Sequence, residues 1–226
     1  MDTKAFRSLS YGLYIVTATD GGKNSGCVVN TFGQVTSKPA QVSVAINKEN
    51  FTCKVVESAG VFEASVLTQS ATMELIGRFG FRSSADTDKF ADTAHSTDEL
   101  GIPYVTEHAA ARFRVKVVNQ VDLGTHILFI GQVEQAERLS DEAPMTYAYY
   151  HEVKGGKTPP KASSYEQPSA QDEEAAPAQP EAEAPAPRYG WQCKICGHIV
   201  ETDELPDDFK CPLCGMGKEM FKRIQL

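Results

Sequence analysis

Four of the six cysteines form two pairs near the C-terminus, with the spacing of a metal site. Cys193 and Cys196 make one C-x-x-C turn, Cys211 and Cys214 make the other, and 14 residues separate the pairs. Each turn can direct two sulfurs at one ion, so the set predicts a tetrahedral four-thiolate centre. Two disulfides are the alternative, which the reducing cytoplasm disfavours. Spacing alone leaves iron and zinc both open.

The residues next to these cysteines support a metal-stabilised fold. Gly197 and Gly215 each follow a pair directly, where a tight turn aims backbone N–H groups at the sulfurs. The segment 188–226 has 39 residues, which is too few to build a sufficient apolar core without a metal.

Further residues surround the two turns at Trp191, Pro206, Lys218 and Phe221. Together with the paired Cys-x-x-Cys-Gly turns, they resemble the rubredoxin family, and most closely the short rubredoxin-like domains at the end of rubrerythrins. His198 departs from the family, which usually has Tyr there. The resemblance implies one iron, bound by the four cysteines, that cycles between ferric and ferrous states and carries one electron. A structural zinc ribbon is the second interpretation.

A segment of 22 residues, 166–187, separates this region from the rest of the chain by its composition. It holds seven Ala, five Pro and six acidic residues, no basic residue and no large apolar side chain. Such a segment cannot bury enough surface to offset its ordering entropy. We therefore predict a disordered linker between a domain at 1–165 and a second one at 188–226.

The charge and the apolar runs exclude several classes of partner. The formal net charge is −8, which argues against nucleic acid or an anionic membrane surface as the main partner. No run approaches 18 apolar residues, so we expect no membrane span. The first residues lack the apolar core of a signal peptide, and we expect a cytoplasmic protein.

The pattern of the first 165 residues predicts a domain that is mainly β. Alternating apolar residues and turn signals predict strands at 14–18, 26–30, 41–46, 61–67, 112–121 and 126–136, and helices at 51–58 and 71–79. Many strands and few helices favour a barrel over a parallel sheet. The domain has no G-x-G-x-x-G after a strand and no G-x-S-x-G, so these patterns by themselves leave its ligand open.

Several segments of this domain carry a second resemblance: 12–17, 30–39, 47–52, 88–90, 124–131, 147–150 and 155–159. In this order they resemble the FMN-binding split-barrel flavin reductases over nearly all of residues 1–165. The resemblance implies an FMN-binding split β-barrel with short helices.

The resemblance also assigns residues to FMN. It implies that amides and hydroxyls contact the phosphate and ribityl chain, that a lysine adds a cation at the phosphate, and that one backbone segment follows the isoalloxazine. The amides and hydroxyls are those of Asn30, Thr31, Asn47, Thr52 and Ser83. The lysine is Lys89, and the backbone segment is Gln34, Val35 and Thr36. Taken singly, Thr31 also suits a turn and Thr52 a helix N-cap.

One histidine stands out as a candidate catalytic residue. His126 matches the histidine of the Gly-Asp-His-Thr motif of these reductases, which implies a place near the flavin and the incoming nicotinamide. A histidine within an apolar strand is also consistent with a structural role in the core. Thr125 replaces the usual Asp, and Ser84 stands where relatives often have Gly.

Joined in this order, the two modules resemble the high-molecular-weight rubredoxins. The resemblance implies an oxidoreductase in which NAD(P)H delivers a hydride to FMN and single electrons pass through the iron to a flavodiiron protein. It also implies a homodimer. The alternative is a free flavin reductase with a structural zinc-ribbon docking module.

Overall fold

The computed structural model describes residues 3–158, 162, 189–202 and 204–225, and these form three antiparallel sheets of seven, three and two strands. The linker predicted at 166–187 lies outside the described residues. No helix in the described part of the chain combines the length and the apolar character that crossing a membrane requires.

The first domain is built on a seven-stranded sheet with a small separate hairpin and three helices. Its strands in chain order are β1 (Tyr14–Asp20), β2 (Lys23–Val29), β3 (Gly33–Ser37), β4 (Ala40–Asn47), β5 (Val61–Leu67), β6 (His95–Thr97), β7 (Pro103–Val105), β8 (Ala109–Asp122) and β9 (His126–Arg138). Its α-helices are α1 (Phe51–Ala59), α2 (Met73–Gly80) and α3 (Tyr147–Glu152), and a 3-10 helix covers Thr3–Ser8.

The large sheet has the strand order β2-β1-β5-β8-β9-β4-β3, with every neighbouring pair antiparallel. It curls around one apolar core, to which strands β1, β2, β4, β5, β8 and β9 and helix α1 all contribute. The strand β4 shows the alternation expected of a sheet with one buried face, because Val42, Val44 and Ile46 point into this core. The mainly β fold is thereby confirmed.

A second apolar core lies on the outer face of β1 and holds α2 and α3 against the sheet. Ile15 belongs to this outer core, whereas its neighbour Val16 belongs to the inner one, as the two-residue repeat of a strand requires. Ile76 and Phe79 of α2 and Tyr150 of α3 fill the outer core. The helices are thus fixed beside the ends of β2 and β4.

The structure confirms the six strands and two helices expected from the sequence, with ends that shift by a few residues. The turn between β1 and β2 places Gly21 and Gly22 at φ values of 56° and 80°, the conformation of a two-residue type I′ hairpin. The strand β3, the β6–β7 hairpin and α3 were not predicted. The edge strand β3 is largely exposed, and among the residues of α3 only Tyr150 is buried, so neither shows a clear apolar period.

The small domain contains β10 (Tyr189–Cys193), β11 (Ile199–Val200) and β12 (Phe221–Gln225), in the order β11-β10-β12. A 3-10 helix over Lys218–Met220 leads into β12. The apolar cluster of this domain includes the four cysteines of the paired turns.

Gly131 offers a test of the inner core. A Cβ there would lie 2.2 Å from Val115 Cγ1 and 3.0 Å from the Lys116 carbonyl oxygen, so Gly131→Ala should destabilise the barrel by about 1–3 kcal/mol. Thermal unfolding followed by circular dichroism should show a melting temperature lower by about 2–4 °C for each kcal/mol. Gly33→Ala is the control, since nothing lies within 4 Å of a Cβ at that strand position. Equal melting temperatures for the two variants would contradict this packing.

Candidate functional site

The four cysteine sulfurs of the C-terminal domain converge on one point. All four lie within 4.8 Å of one another, and the pairs Cys193–Cys214 and Cys196–Cys211 are each 3.5 Å apart. A tetrahedral ion with metal–sulfur bonds of about 2.3 Å has sulfur–sulfur edges of about 3.8 Å. The donor set therefore fits one four-thiolate metal ion.

The two turns that carry the cysteines have the same hydrogen-bonding pattern. Gly197 N–H donates to the Cys193 carbonyl at 2.9 Å, and Gly215 N–H donates to the Cys211 carbonyl at 2.8 Å. Both glycines have positive φ, 78° and 76°, which other residues rarely adopt. Each turn thereby reverses the chain within one residue of its second cysteine, so that both sulfurs of the pair face the same side.

Backbone N–H groups point at the sulfurs, as the glycine positions predicted. His198 donates to the Cys196 sulfur, and Met216 donates to the Cys214 sulfur, each two residues further along the chain. Leu213 donates to the Cys211 sulfur in the same manner. Such donors stabilise negative charge on sulfur.

The sulfurs compete for protons because they lie so close together. A hydrogen bond from the Cys214 thiol, followed by the His198 N–H, lowers the pKa of Cys196 to about 5. The same hydrogen bond, together with burial, raises the pKa of Cys214. Four thiolates are therefore compatible with this spacing only when a cation replaces the protons.

The first domain contains a cleft at the ends of β2 and β4, opposite α2 and α3. It is open to solvent, and the enclosed volume within it is about 60 Å³. Apolar side chains form most of its wall, and the amides of Asn30, Asn47 and Asn50 and the ring of His126 supply polar groups. This composition suits a flat heteroaromatic ligand with a polar edge.

His126 and Asn47 are held side by side in this cleft by the sheet. They are directly opposite each other in the register of β4 and β9. The Thr125 hydroxyl lies 2.9 Å from His126 Nδ1, so the residue that replaces the usual Asp still contacts the ring. The tight turn before β9, with Gly124 at a φ of 85°, places His126 at the cleft.

Two threonines assigned to FMN lie next to the cleft with their side chains facing the protein. The Thr31 hydroxyl donates to the Ala45 carbonyl at 3.0 Å and accepts from the Ala45 N–H at 3.1 Å, which ties the end of β2 to β4. Thr52 is fully buried in the first turn of α1. The N-cap of that helix is Asn50, whose side chain accepts from the Thr52 N–H.

Gln34, Val35 and Thr36 lie on β3 at the edge of the sheet, and they do not line the cleft. Val35 is 53% exposed, and the Thr36 hydroxyl donates to the Pro39 carbonyl within the same hairpin.

Lys89 and Ser83 lie on the loop that follows α2. The Lys89 ammonium is buried and donates to the Gly26 carbonyl at 2.7 Å and to the Phe79 carbonyl at 3.2 Å. Burial lowers the pKa of Lys89 to about 8. Ser83 lines a second cleft, which is formed between this loop and the C-terminal domain.

Phe81 connects the two candidate sites. It lines the first cleft together with His126, and it lines the second cleft together with Cys193 and Cys196. Tyr150 also lines the first cleft, and burial raises its pKa, with Tyr147 and Cys214 as further causes. Phe81 belongs to no motif that could have marked it in the sequence. Tyr147 and Tyr150 are three residues apart, and this spacing is the signal in the sequence that would place both on one face of a helix.

Comparisons with known proteins match both parts of the chain. Residues 6–156 match the family described as flavin reductase like domain, and residues 191–222 match the rubrerythrin, rubredoxin-like domain. The high molecular weight rubredoxin of Moorella thermoacetica is 40% identical over 239 aligned residues, covering 99% of this chain and 100% of that protein.

Two further relatives resemble the first domain. The ferric-chelate reductase (NAD(P)H) of Archaeoglobus fulgidus is 48% identical over 165 residues, covering 73% of this chain and 98% of that protein. Among solved structures, the flavin reductase PheA2 superimposes with a TM-score of 0.54 at 25% identity, covering 65% of this chain and 93% of that one.

Replacing one cysteine of the paired turns should remove the metal and weaken only the small domain. For Cys211→Ser we expect a metal-to-protein ratio well below one by elemental analysis, because a neutral hydroxyl is a poor substitute for a thiolate ligand. Trp191 is the single tryptophan and lies in the small domain, so its fluorescence should show earlier unfolding there.

The matched control is Cys53→Ala. Cys53 is buried in the inner core, and burial raises the pKa of its thiol to about 12. The Cys53→Ala protein should bind as much metal as the unchanged chain. A Cys211→Ser protein that retained one tightly bound metal would exclude the four-thiolate site.

Proposed function

We propose, on the premise that this chain belongs to the high-molecular-weight rubredoxins, that it moves electrons from NAD(P)H through FMN to its own iron site and then to an external acceptor. The family makes the protein an NAD(P)H-linked oxidoreductase with a flavin and a four-cysteine iron site. The proposal adds the direction of electron flow, the identity of the flavin as FMN, and the residues that serve each step.

The observation that carries the proposal is the shared wall between the two sites. Phe81 packs against the apolar cluster around the cysteines and also lines the first cleft. Tyr150 lines that cleft as well, and Cys214 is near enough to affect its pKa. A ligand in the cleft and the apolar cluster around the cysteines would therefore share the Phe81 side chain as a common wall.

When bound, the flavin accepts a hydride and releases single electrons, and the iron alternates between ferric and ferrous states. The protein's own task is to bind, orient and shield these groups. We assign the ribityl chain of FMN to Asn30 and Asn47, whose amides lie at the ends of β2 and β4. Such donors and acceptors fix the orientation of a bound cofactor.

We assign the FMN phosphate to the loop after α2, with Ser83 as a direct donor and Lys89 as a cation behind the loop. The Lys89 ammonium donates to backbone carbonyls, so its contribution to phosphate binding is electrostatic. Thr31 and Thr52 then support the backbone beside the cleft. The exposed β3 segment Gln34–Thr36 is proposed to border the isoalloxazine when the ligand is bound.

An absorption spectrum tests the central claim most directly. The purified protein should show thiolate-to-iron charge-transfer bands that overlap the flavin absorption, and adding NADH or NADPH without oxygen should bleach both. Elemental analysis should find one iron per chain. A yellow protein that contains stoichiometric zinc would replace this proposal with the alternative, a free flavin reductase with a structural zinc ribbon.

We expect His126 to take part in the reduction of the flavin by the nicotinamide. His126→Ala should slow flavin reduction in stopped-flow mixing by about 10²-fold, the lower end of the usual contribution from a positioned catalytic side chain, while FMN affinity changes less. His95→Ala is the control, since His95 is an exposed residue of β6 outside the cleft. A variant that lost only thermal stability would identify His126 as a structural residue of the sheet.

The external acceptor we propose is a flavodiiron protein in the cytoplasm, as the family resemblance implies. None of the six cysteines forms a disulfide bond, and a reducing compartment preserves that state. Anaerobic mixing of the reduced protein with an oxidised flavodiiron protein should reoxidise the iron, and an unchanged iron spectrum would exclude this acceptor.

We also propose a homodimer. Val118, Val121 and Leu123 are exposed at the end of the β8–β9 hairpin, and the same hairpin carries His126 to the mouth of the cleft. Exposed apolar side chains at a ligand site are typical of an interface. Light scattering that shows only monomers at micromolar concentration would remove this part of the proposal.

A further inference from the structure

The small domain contacts the first one through its first C-x-x-C turn. Ile195, between the two cysteines of that turn, packs against α2 at Gly77. A Cβ at residue 77 would lie 2.3 Å from Ile195 Cγ2, 2.7 Å from the Ile195 carbonyl oxygen and 3.0 Å from its carbonyl carbon. Two of these three atoms belong to the backbone, so a change of side-chain rotamer could not relieve the overlap. Only glycine at position 77 therefore leaves enough room for the turn to pack against α2.

Three further residues around Gly77 contact the same domain. Met73 and Phe81, on the helix and just after it, pack against the apolar cluster that surrounds the cysteines. Arg82 donates from Nη2 to the Lys194 carbonyl oxygen at 2.8 Å. We call Met73, Gly77, Phe81 and Arg82 the docking face.

The second C-x-x-C turn also faces the first domain. A Cβ at Gly215 would lie 3.1 Å from Lys157 Cε and 3.3 Å from the Gly155 carbonyl oxygen. Both cysteine turns, and hence the metal-binding end of the small domain, are directed at the domain that contains the cleft. A chance contact between tethered domains would not be expected to present both turns in this way.

We propose that the docking face is a specific receptor for the first C-x-x-C turn of this chain's own C-terminal domain, and that Gly77 determines whether the turn can dock. The choice of residue at this position supports the inference. Gly77 is an interior residue of an eight-residue helix, where glycine is a poor helix former and alanine the best. Glycine makes α2 less stable than alanine would. Its presence is explained by the backbone of Ile195, which occupies the space that a side chain at residue 77 would need.

The docked arrangement deepens the proposed function, and this step rests on it. Phe81 belongs to the docking face and to the cleft wall, so docking positions the metal site beside the flavin site. Docking replaces a diffusive encounter between two tethered domains by a fixed geometry. Loss of docking should therefore slow the transfer of electrons to iron and leave the reduction of the flavin unchanged.

Gly77→Ala in the full chain with both cofactors tests the proposal, because its local and its interdomain effects have opposite signs. Alanine should strengthen α2, whereas the Cβ should displace the small domain. Small-angle X-ray scattering should show a larger maximum dimension than for the unchanged protein. Stopped-flow mixing with NADH should show flavin reduction at the original rate and iron reduction slowed by about tenfold or more.

Gly80→Ala is the matched control for the scattering measurement. Gly80 ends the same helix, and a Cβ there meets only Val28, at 3.7 Å, which is an ordinary contact. This variant should keep the original dimension. Arg82→Ala removes one hydrogen bond from the docking face without adding volume, and it should produce a smaller increase in dimension than Gly77→Ala.

The outcomes separate this inference from the proposed function. If Gly77→Ala keeps both the original dimension and the original rate of iron reduction, the docking face is excluded. If the unchanged protein fails to reduce its iron with NADH or NADPH, the proposed function fails, and the scattering comparison of Gly77→Ala with Gly80→Ala still decides whether the domains dock as described.

Discussion

Four sulfurs that lie within 4.8 Å of one another impose the strongest constraint on this molecule. Without a cation they must share protons, as the opposite pKa shifts of Cys196 and Cys214 show. With a cation they become the centre of a domain whose apolar cluster consists largely of the cysteines and the residues that touch them. The fold of the small domain therefore depends on the same bonds as its redox chemistry.

The flavin-binding part depends on a different arrangement, in which strand ends and helices meet. The sheet register places Asn47 opposite His126, and the outer core fixes α2 and α3 across from them. The strand β1 is buried on both faces, with the inner apolar core on one side and the outer core on the other. Rigid elements hold polar groups in position more accurately than loops do.

The two sites meet at α2 and at the residue that follows it. This helix supplies apolar residues to the outer core, supports one wall of the cleft, and admits the first cysteine turn at Gly77. Phe81, immediately after the helix, belongs to both sites. A helix of eight residues thus links the nicotinamide-dependent part of the protein to its iron site.

The sequence by itself determined the features that depend on local chemistry. The spacing of the four cysteines and the glycines after them predicted the thiolate cluster, since a C-x-x-C turn forms from neighbouring residues. Alternation and turn signals predicted the main strands. The acidic linker at 166–187 stays a prediction from composition, because it lies outside the described residues.

Only the tertiary structure decided which distant residues share a surface. Lys89 looked like a free cation in the sequence, yet its ammonium is buried against the carbonyls of Gly26 and Phe79. Gly77 carries no signal in the sequence, because its importance comes from Ile195, 118 positions away along the chain. Contacts of this kind depend on how two domains pack, and no local pattern of residues encodes that packing.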